Sequence, residues 1–250
     1  MPIPTEEELV KAACHFGHPK QKWNPKIAPF LYGVRKGMHI FDITQTRHHV
    51  EKVCEGLAEL QKAGKVILFV STKQQAIPLI EEIGKATGQL TVTKKWIPGL
   101  LTNWGTMRKR LQYYIDLQNS FQTGEVEKYT KKEQTQLRKE LAKLDAALSG
   151  VRHMKGLPDA LFVVDAVHNH VAVLEAKKMK IPVYGICDSN ANPDEFTALI
   201  PANDGAIKSI TLLLNAVRDA LVAAKETEES EPPRAALEQN GSVLSNQITQ

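Results

Sequence analysis

The sequence predicts a doubly wound α/β domain with a long helical hairpin inserted into it. Three short apolar runs, each typical of a buried parallel strand, are separated by helical patterns and lie at 65–71, 160–165 and 183–187. Strands and helices that alternate in this way favour right-handed crossovers and a mostly parallel sheet covered on both faces. The segment 102–153 breaks the alternation with two long helical patterns, which indicates an insertion.

The N-terminal part predicts a helix, a loop, a strand and a second helix. Thr5 with Glu8 forms a capping box that opens a short helix ending near Gly17. A loop rich in proline and lysine follows at 18–30, and 39–43 has the composition of a short strand. The next helix, which Gly64 ends, has its apolar face at Val50, Val53, Leu57 and Leu60.

The remaining elements complete the alternation. After the strand at 65–71, a helix with Ile77, Ile80 and Ile83 on one face closes near Gly88, and 90–96 is compatible with a further strand. A helix around Val171 and Leu174 joins the strands at 160–165 and 183–187. The last amphipathic helix runs from about Asp204 to Ala224.

The inserted segment has two apolar seams at helical spacing. The first seam is Met107, Leu111, Tyr114, Gln118 and Phe121, and the second is Leu137, Leu141, Leu144, Leu148 and Val151. A polar turn around Gly124 and a capping box at Thr130 and Glu133 lie between them. Facing seams joined by a short loop predict an antiparallel coiled-coil hairpin, with two ordinary surface helices, or an adaptor that dimerises through 102–153, as alternatives. The α/β domain is then discontinuous, 1–101 and 154–224.

Charge is spread unevenly along the chain. The formal net charge is +4, but the segment 225–250 has two basic and five acidic residues, so 1–224 carries +7. A positive excess of this size is a weak indication of a polyanionic partner. The segment 225–250, with Pro232-Pro233 and few aliphatic residues, is predicted to be a disordered acidic tail.

Cysteine usage and the N-terminus indicate the cytoplasm. Cys14, Cys54 and Cys187 form no CxxC pair, which argues against a zinc finger or a disulfide framework. The first residues lack the features of a secretory signal or an organelle presequence, and no apolar run has the length of a membrane span.

The turns after the apolar strands lack the glycines that nucleotide binding needs. Neither GxGxxG nor GxxxxGK[ST] occurs in the chain. His168 and His170 follow a strand end, where open α/β sheets bind ligands, but a helix from Ala166 would place them on different faces. Helix capping by Asp165 or Asn169 is therefore favoured over acid–base catalysis.

An Asx-rich segment resembles the start of a calcium loop. Asp188, Asn190, Asn192 and Asp194 alternate, but Pro193 stands where that loop needs glycine and Leu199 where it needs a bidentate glutamate. Such turns are common after strands. No cofactor is required, and a divalent ion held by Asp188 and Asp204 is the alternative left open.

Two clusters interleave cations with tryptophan and amide side chains, as RNA-binding surfaces do. Together with Lys73, which follows a strand and could bind an anion, the candidate RNA-binding residues are Lys20, Lys22, Trp23, Asn24, Lys26, Arg35, Lys36, Lys94, Lys95, Trp96, Asn103, Trp104, Arg108, Lys109 and Arg110. The alternative is that the tryptophans are core anchors and the lysines a solvated rim. This alternative applies to Trp96, at a strand end, more than to Trp23, in a Pro-rich loop.

Several motifs resemble one family across residues 5–222. They are HFGH at 15–18, WNPK at 23–26, LTNW at 101–104, LPDALFVVD at 157–165 and IPAND at 200–204. Their order is similar to that in the bacterial family of small-subunit ribosomal protein two. The resemblance implies a flavodoxin-like parallel sheet with a protruding coiled-coil hairpin. It also implies a ribosome-bound structural protein without catalytic activity, which contacts small-subunit ribosomal RNA between head and body and helps seat the large first protein of the subunit.

The chain departs from the family pattern at three places. Gly205 follows Asp204 where a second aspartate is common, which weakens a metal role there. Pro98-Gly99 replaces a usual glycine pair, and Pro19 replaces a polar residue. The main rival interpretation is an α/β enzyme or sensor that binds a sugar phosphate or nucleotide at the strand ends.

Overall fold

The polypeptide folds around two β-sheets, which a computed structural model describes for residues 3–230. The strands are β1 (Phe16–Pro19), β2 (Leu31–Arg35), β3 (Met38–Phe41), β4 (Ile67–Val70), β5 (Leu90–Val92), β6 (Ala160–Val164), β7 (Val183–Cys187) and β8 (Ala198–Pro201). The helices are α1 (Glu6–Lys11), α2 (Ile43–Lys62), α3 (Ile77–Thr87), α4 (Trp104–Gln122), α5 (Lys131–Leu148), α6 (His170–Lys178) and α7 (Ile207–Ser230). Short 3-10 helices lie at Lys20–Lys22, Pro25–Phe30, Glu125–Lys128, Ser149–Val151 and Pro193–Glu195.

The larger sheet has five parallel strands in the order β5-β4-β6-β7-β8. This confirms the predicted parallel α/β fold, and the order is consistent with a flavodoxin-like sheet. Every residue of β4 and β6 is buried, which explains why these strands are continuous apolar runs. The strand order reverses between β4 and β6, and at such a point the carboxyl ends of the strands open a crevice.

Alternate side chains of each strand point into two separate cores. Leu68 and Val163 pack in a core with residues of α4, α5 and α6. Phe69 and Phe162, with ring centroids 5.2 Å apart, pack in the other core with residues of α1, α2, α3 and α7. The helices therefore form a layer on each face of the sheet.

Two glycines allow close backbone approaches that set this geometry. A Cβ added at Gly185 in β7 would lie 2.1 Å from the Val163 carbonyl oxygen of the neighbouring strand. A Cβ added at Gly150, just after α5, would lie 2.1 Å from the Thr91 carbonyl oxygen in β5. A side chain at either position would clash with backbone. Glycine at 185 therefore permits β7 to approach β6 closely, and glycine at 150 permits the end of α5 to lie against the edge strand β5.

The smaller sheet is antiparallel, with the order β1-β3-β2. Lys36 and Gly37 connect β2 to β3 with φ values of 50° and 79°, as in a hairpin turn with two left-handed residues. The strand predicted at 39–43 corresponds to β3, but β1 and β2 were not predicted. The prolines around them indicated a loop, and short edge strands carry too few residues for a period-2 pattern.

The segment predicted as a hairpin contains α4 and α5, which pack against each other. The Tyr114 hydroxyl donates a hydrogen bond of 2.6 Å to Asp145 Oδ1 and so links the two helices. Met107, Leu111 and Tyr114 are buried on α4, as are Leu144 and Leu148 on α5. Leu137 and Leu141, nearer the loop, are only partly buried, so the contact is tightest near the sheet.

Several predicted boundaries are wrong. α1 ends at Lys11 rather than near Gly17, because Ala13 adopts a positive φ of 63° and the chain then enters β1. β5 ends at Val92 rather than at Trp96. β8, which was not predicted, adds a fifth strand to the parallel sheet.

The tail prediction is wrong for its first residues. α7 continues to Ser230, because 207–230 contains no glycine or proline that would interrupt a helix. The rest of the predicted disordered tail, 231–250, lies outside the described residues. Within 3–230, none of the helices combines the length and the apolar character that a membrane crossing requires.

Candidate nucleic-acid interface

The first predicted cluster gathers around the β2–β3 turn. The Lys20 amide donates a 3.0 Å hydrogen bond to the Gly37 carbonyl oxygen. Pro19 and Arg35 both pair with Met38 from opposite sides of β3. The structure therefore brings Lys20, Arg35 and Lys36 to one end of the small sheet, where all three are exposed.

Trp23 and Asn24 stabilise the loop beside this turn. The indole of Trp23 is half-buried and stacks on His39, with ring centroids 4.6 Å apart and an interplanar angle of 27°. The Asn24 side-chain oxygen accepts a hydrogen bond from the Lys26 backbone amide at 3.1 Å, and the Asn24 backbone amide donates to the Ser189 carbonyl oxygen at 2.7 Å. One face of Trp23 is thus covered by protein, and Asn24 caps the 3-10 helix Pro25–Phe30.

The lysines of this loop differ in their partners. Lys26 forms an exposed ion pair with Asp194. Among residues 3–230, Lys20 and Lys22 have no ion-pair partner, and the same is true of Arg35 and Lys36. These four cations are available for phosphate groups, whereas Lys26 would have to leave its carboxylate first.

In the second cluster, Trp96 is a core anchor. Its indole is buried, and Nε1 donates a 3.0 Å hydrogen bond to Glu175 Oε1 on α6. The alternative interpretation of Trp96, as a structural residue, is therefore the one the geometry favours. Stacking of Trp96 on an RNA base is not compatible with this burial.

Glu175 organises the loop that contains Trp96. Its carboxylate also accepts hydrogen bonds from the amides of Gly99, Leu101 and Thr102, at 2.7, 3.0 and 3.1 Å, and from the Thr102 hydroxyl at 3.1 Å. Burial of Glu175 alone would raise its pKa, but these donors outweigh burial and hold the pKa below its usual value. The charged carboxylate therefore fixes the segment 96–102.

The cations of the second cluster flank this fixed segment. Lys94 and Lys95 lie before it and are exposed. Asn103 lies at the start of α4, where its side chain makes no cap hydrogen bond, and Trp104 is half-buried against the core. On α4, three consecutive exposed residues are cations: Arg108, Lys109 and Arg110. About 100° separates neighbours on a helix, so these three cations fan out around α4 instead of lining one face.

Lys73 lies between two carboxylates. Its Nζ is 2.7 Å from Asp204 Oδ1 and 3.1 Å from Asp165 Oδ2. Burial lowers the pKa of Lys73, but the two carboxylates outweigh burial and the net pKa is raised. Its charge is thus matched inside the protein, and RNA binding by Lys73 stays a prediction.

The carboxylates at Asp188 and Asp204 form a buried group with His18. One ligand atom of each residue lies within 4.8 Å of the others, and the two aspartates are only 1% and 2% exposed. Burial and the nearby Asp188 raise the pKa of Asp204 to about 6, while Lys73 opposes this shift. Two carboxylate oxygens and an imidazole are donors that suit a divalent transition metal. His18 is thus a third candidate ligand for the divalent ion that the sequence left open as an alternative, and that alternative stays untested.

Asn192 and Asp194 of the calcium-like segment have other partners. Asn192 caps the 3-10 helix Pro193–Glu195 through a hydrogen bond from the Asp194 amide. Asp194 is exposed and paired with Lys26. The segment is thus an Asx-rich turn, as its sequence favours.

The candidate catalytic histidines lie on the exposed turn that leads into α6. The amide of His168 donates a 3.0 Å hydrogen bond to Asp165 Oδ1, and His170 is the first residue of the helix. The Asn169 side chain donates to the carbonyl oxygens of Val164 and Asp165. Asp165 and Asn169 therefore stabilise this turn, although neither side chain caps α6.

Glu175 is the functional residue that sequence reasoning missed. It lies among apolar residues of α6, one turn after Ala172, on the side of the helix that packs against the sheet. An acidic residue on the apolar side of a helix was the available signal. Its partners, however, are about 75 residues away in the chain and could not be read from the local pattern.

Comparison with known proteins identifies relatives along almost the whole chain. A family model described as ribosomal protein S2 matches residues 9–224. A protein of a Nitratiruptor species, named small ribosomal subunit protein uS2, is 41% identical over 227 residues. The match covers 91% of this chain and 85% of that relative.

Proposed function

The chain belongs to the ribosomal protein S2 family, and on this basis we propose that it is a structural component of the small ribosomal subunit that binds ribosomal RNA. The observation that carries the proposal is the family match over 9–224, which includes both basic loops and the helical pair. In this role the protein would support translation and would not catalyse a reaction.

The contacts with RNA are proposed at the exposed cations of the two clusters. The unpaired cations at the β2–β3 turn and the cations flanking 96–102 would neutralise backbone phosphates. Trp23, Trp96 and Trp104, which pack against protein, would hold these loops in position. Trp23 is only half-buried, so the accessible part of its indole is the aromatic surface left for a base.

The helical pair is proposed to be a coiled-coil arm, 102–153, inserted into a discontinuous domain formed by 1–101 and 154–224. The buried seam residues of α4 and α5 and the Tyr114–Asp145 hydrogen bond support this organisation. Because each helix covers the seam of the other, the arm does not need a second copy of the chain.

The proposed partners are small-subunit ribosomal RNA and neighbouring ribosomal proteins, including the large first protein of the subunit. The proposed location is the cytoplasm, bound to the ribosome between the head and body of the subunit. These assignments rest on family membership, and the uneven charge of the chain is compatible with them.

Direct binding to RNA tests the proposal. The purified chain should bind an in vitro transcript of small-subunit ribosomal RNA more tightly than a large-subunit transcript at the same salt concentration. Equal affinity for both transcripts would show non-specific binding only and would contradict the proposal.

The rival function, an enzyme or sensor for a nucleotide or sugar phosphate, makes a different prediction. A ligand that binds only the folded state raises the melting temperature in a saturable way. We expect no such shift with nucleotides or sugar phosphates, and a large saturable shift would favour the rival.

A further inference from the structure

A groove runs along one side of the helical pair, between α4 and α5. It has a volume of about 890 Å³, and its apolar lining consists of Leu117, Val126, Leu137 and Leu144. Leu117 and Leu144 are buried, whereas Leu137 is only partly buried. The two helices therefore pack along their seam but leave an open apolar channel beside it.

The side chains that α4 contributes to the groove form a stripe along the helix. Arg110, Tyr113, Leu117 and Ser120 follow each other at spacings of three, four and three. With a rise of 1.5 Å per residue, this stripe is about 15 Å long, which is close to three helical turns. The groove therefore has the length and the shape to accept a short third helix.

Two tyrosines of the groove have large exposed surfaces. Tyr113 on α4 is 43% exposed, and Tyr129, which precedes α5, is 53% exposed. Tyrosine combines a large apolar area with a polar hydroxyl and is enriched at protein interfaces. Exposed tyrosines beside an apolar channel therefore favour a protein as the occupant of the groove.

The charges that line the groove are balanced and free of ion pairs. The lining contains three cations and three anions, which are Arg110, Lys139, Lys143, Asp116, Glu133 and Glu140. In the part of the chain that the structure describes, none of these six side chains belongs to an ion pair. A lining without net charge does not attract a polyanion, which favours a protein of mixed charge over RNA.

The charges are also unevenly distributed along the groove. The hydrogen bond between Tyr114 and Asp145 shows which levels of the two helices face each other. Arg110 lies one turn before Tyr114. Lys143 lies two residues before Asp145, so both cations are at the end of the groove nearer the sheet. Glu133, in the first turn of α5, lies at the tip. Complementary charges on a partner would be acidic near the sheet and basic near the tip.

We propose that this groove binds an amphipathic helix of a neighbouring protein in the small subunit. The partner helix would place apolar residues, spaced by three and four, on the leucines of the groove, with its acidic residues at the end nearer the sheet. The inference rests on the proposed function, because it takes the partner from the same subunit.

Photochemical cross-linking of the full chain within small subunits tests the inference. In the test variant, a benzophenone amino acid replaces Tyr113, and in the control it replaces Asn119. Asn119 is exposed and lies about 160° around α4 from Leu117, so it faces away from the groove. Small subunits are purified from cells that produce each variant and are irradiated, and the cross-linked peptides are identified by mass spectrometry.

We expect the probe at position 113, and not the probe at 119, to cross-link to one other protein of the small subunit. The cross-linked peptide should have apolar residues at helical spacing. If the chain enters small subunits but the probe at 113 reacts with RNA, with a second copy of the chain or with no protein, the inference is wrong while the proposed function stands. If the chain does not enter small subunits, both fail.

A charge reversal tests the proposed orientation of the partner. Arg110→Glu with Lys143→Glu is combined with the probe at position 113, and the control combines the same probe with Lys132→Glu and Arg138→Glu. The two control residues are exposed on α5 and do not line the groove. The reversal should lower the cross-linking yield about tenfold, because like charges would then face each other. Equal yields in the two variants would contradict an acidic partner at this end of the groove.

Discussion

A single buried carboxylate, Glu175, holds the loop that presents the second basic cluster. Its carboxylate accepts hydrogen bonds from the Trp96 indole, from three backbone amides and from the Thr102 hydroxyl. Hydrogen bonds to a charged acceptor contribute more than neutral ones, and a buried donor left unsatisfied costs free energy. Glu175 is therefore expected to act on RNA binding by positioning, without touching RNA.

Replacing Glu175 by glutamine should weaken both the fold and the loop. Glutamine keeps one acceptor oxygen, but its NH2 group would face the donors that now bind the second carboxylate oxygen. The free energy of unfolding should therefore fall by about 2–3 kcal/mol. The matched control, Glu51→Gln on the exposed side of α2, should change it by less than about 0.5 kcal/mol. Urea denaturation measures both, and equal effects would contradict the role of Glu175 in holding this loop.

The pH dependence of this loss follows from the lowered pKa of Glu175. Because the folded pKa lies below the unfolded value, the stabilisation is present above the unfolded pKa and is lost as the pH falls. The difference in stability between wild type and Glu175→Gln should therefore shrink below about pH 4.5. A difference that stays constant in acid would rule out an ionised Glu175 as its source.

The stability contributed by Tyr114 should depend on pH in the opposite direction to that contributed by Glu175. Burial, together with the hydrogen bond to Asp145, raises the pKa of Tyr114 to about 12. The stabilisation is then complete below the unfolded pKa of about 10 and is lost as the pH rises through 12. Tyr114→Phe should cost about 1–2 kcal/mol at neutral pH, and urea denaturation should show this cost declining above pH 10. A cost that does not change up to pH 12 would argue against the hydrogen bond.

For individual residues, the sequence predicted where the basic loops lie better than what each residue in them does. The spacing of cations and tryptophans located both loops, but it could not separate Lys26, which is paired with Asp194, from Lys22, which is not. Nor could it show that Trp96 faces Glu175, because that contact joins residues 79 positions apart. Roles that depend on a partner distant in the chain need the fold.

The elements followed the predictions where the apolar pattern was long. The strands β4, β6 and β7 and the helices α2, α3, α4, α5 and α7 lie where periodicity or apolar runs placed them. β1, β2 and β8 have four or five residues each and lie at sheet edges or among prolines. Such strands are stabilised by pairing with distant segments, which local sequence does not reveal.

Replacing seam residues of α4 and α5 by alanine should destabilise the protein more when the residue is more buried. Leu148 is fully buried, so Leu148→Ala should lower the free energy of unfolding by about 2–5 kcal/mol. Leu141, a seam residue of the same helix, is only partly buried, and its replacement by alanine should cost roughly half as much or less. Chemical denaturation of both variants checks the order, and a larger loss for Leu141→Ala would contradict the packing of α4 and α5.

The lysines of the loop 18–30 should contribute unequally to RNA binding. Lys22 and Lys26 are both exposed and lie four residues apart, but only Lys26 is held by a carboxylate. Lys22→Ala should therefore flatten the logarithmic salt dependence of RNA binding by about 1, and Lys26→Ala by less. Filter binding to the small-subunit transcript at several salt concentrations compares the two. Equal slopes would show that the ion pair with Asp194 opens when RNA binds.

For the molecule as a whole, the fold alone leaves the function open. A parallel sheet with a crevice at its strand ends hosts many enzymes, and function has to be argued from the residues present. The missing glycine turns, the internal use of the amides at 168–169 and the exposed lysines Lys94 and Lys95 favour a polyanion over a small ligand. Family membership then connects the chain to the ribosome.

The position of the protein in a sucrose gradient of a cell extract tests its ribosomal role most directly. At moderate salt, we expect the full chain to co-sediment with small subunits and whole ribosomes. We also expect a ratio close to one copy per small subunit, and loss from the particles as salt is raised. A protein that remains at the top of the gradient at moderate salt, with small subunits intact in the same sample, would contradict a structural role in the subunit.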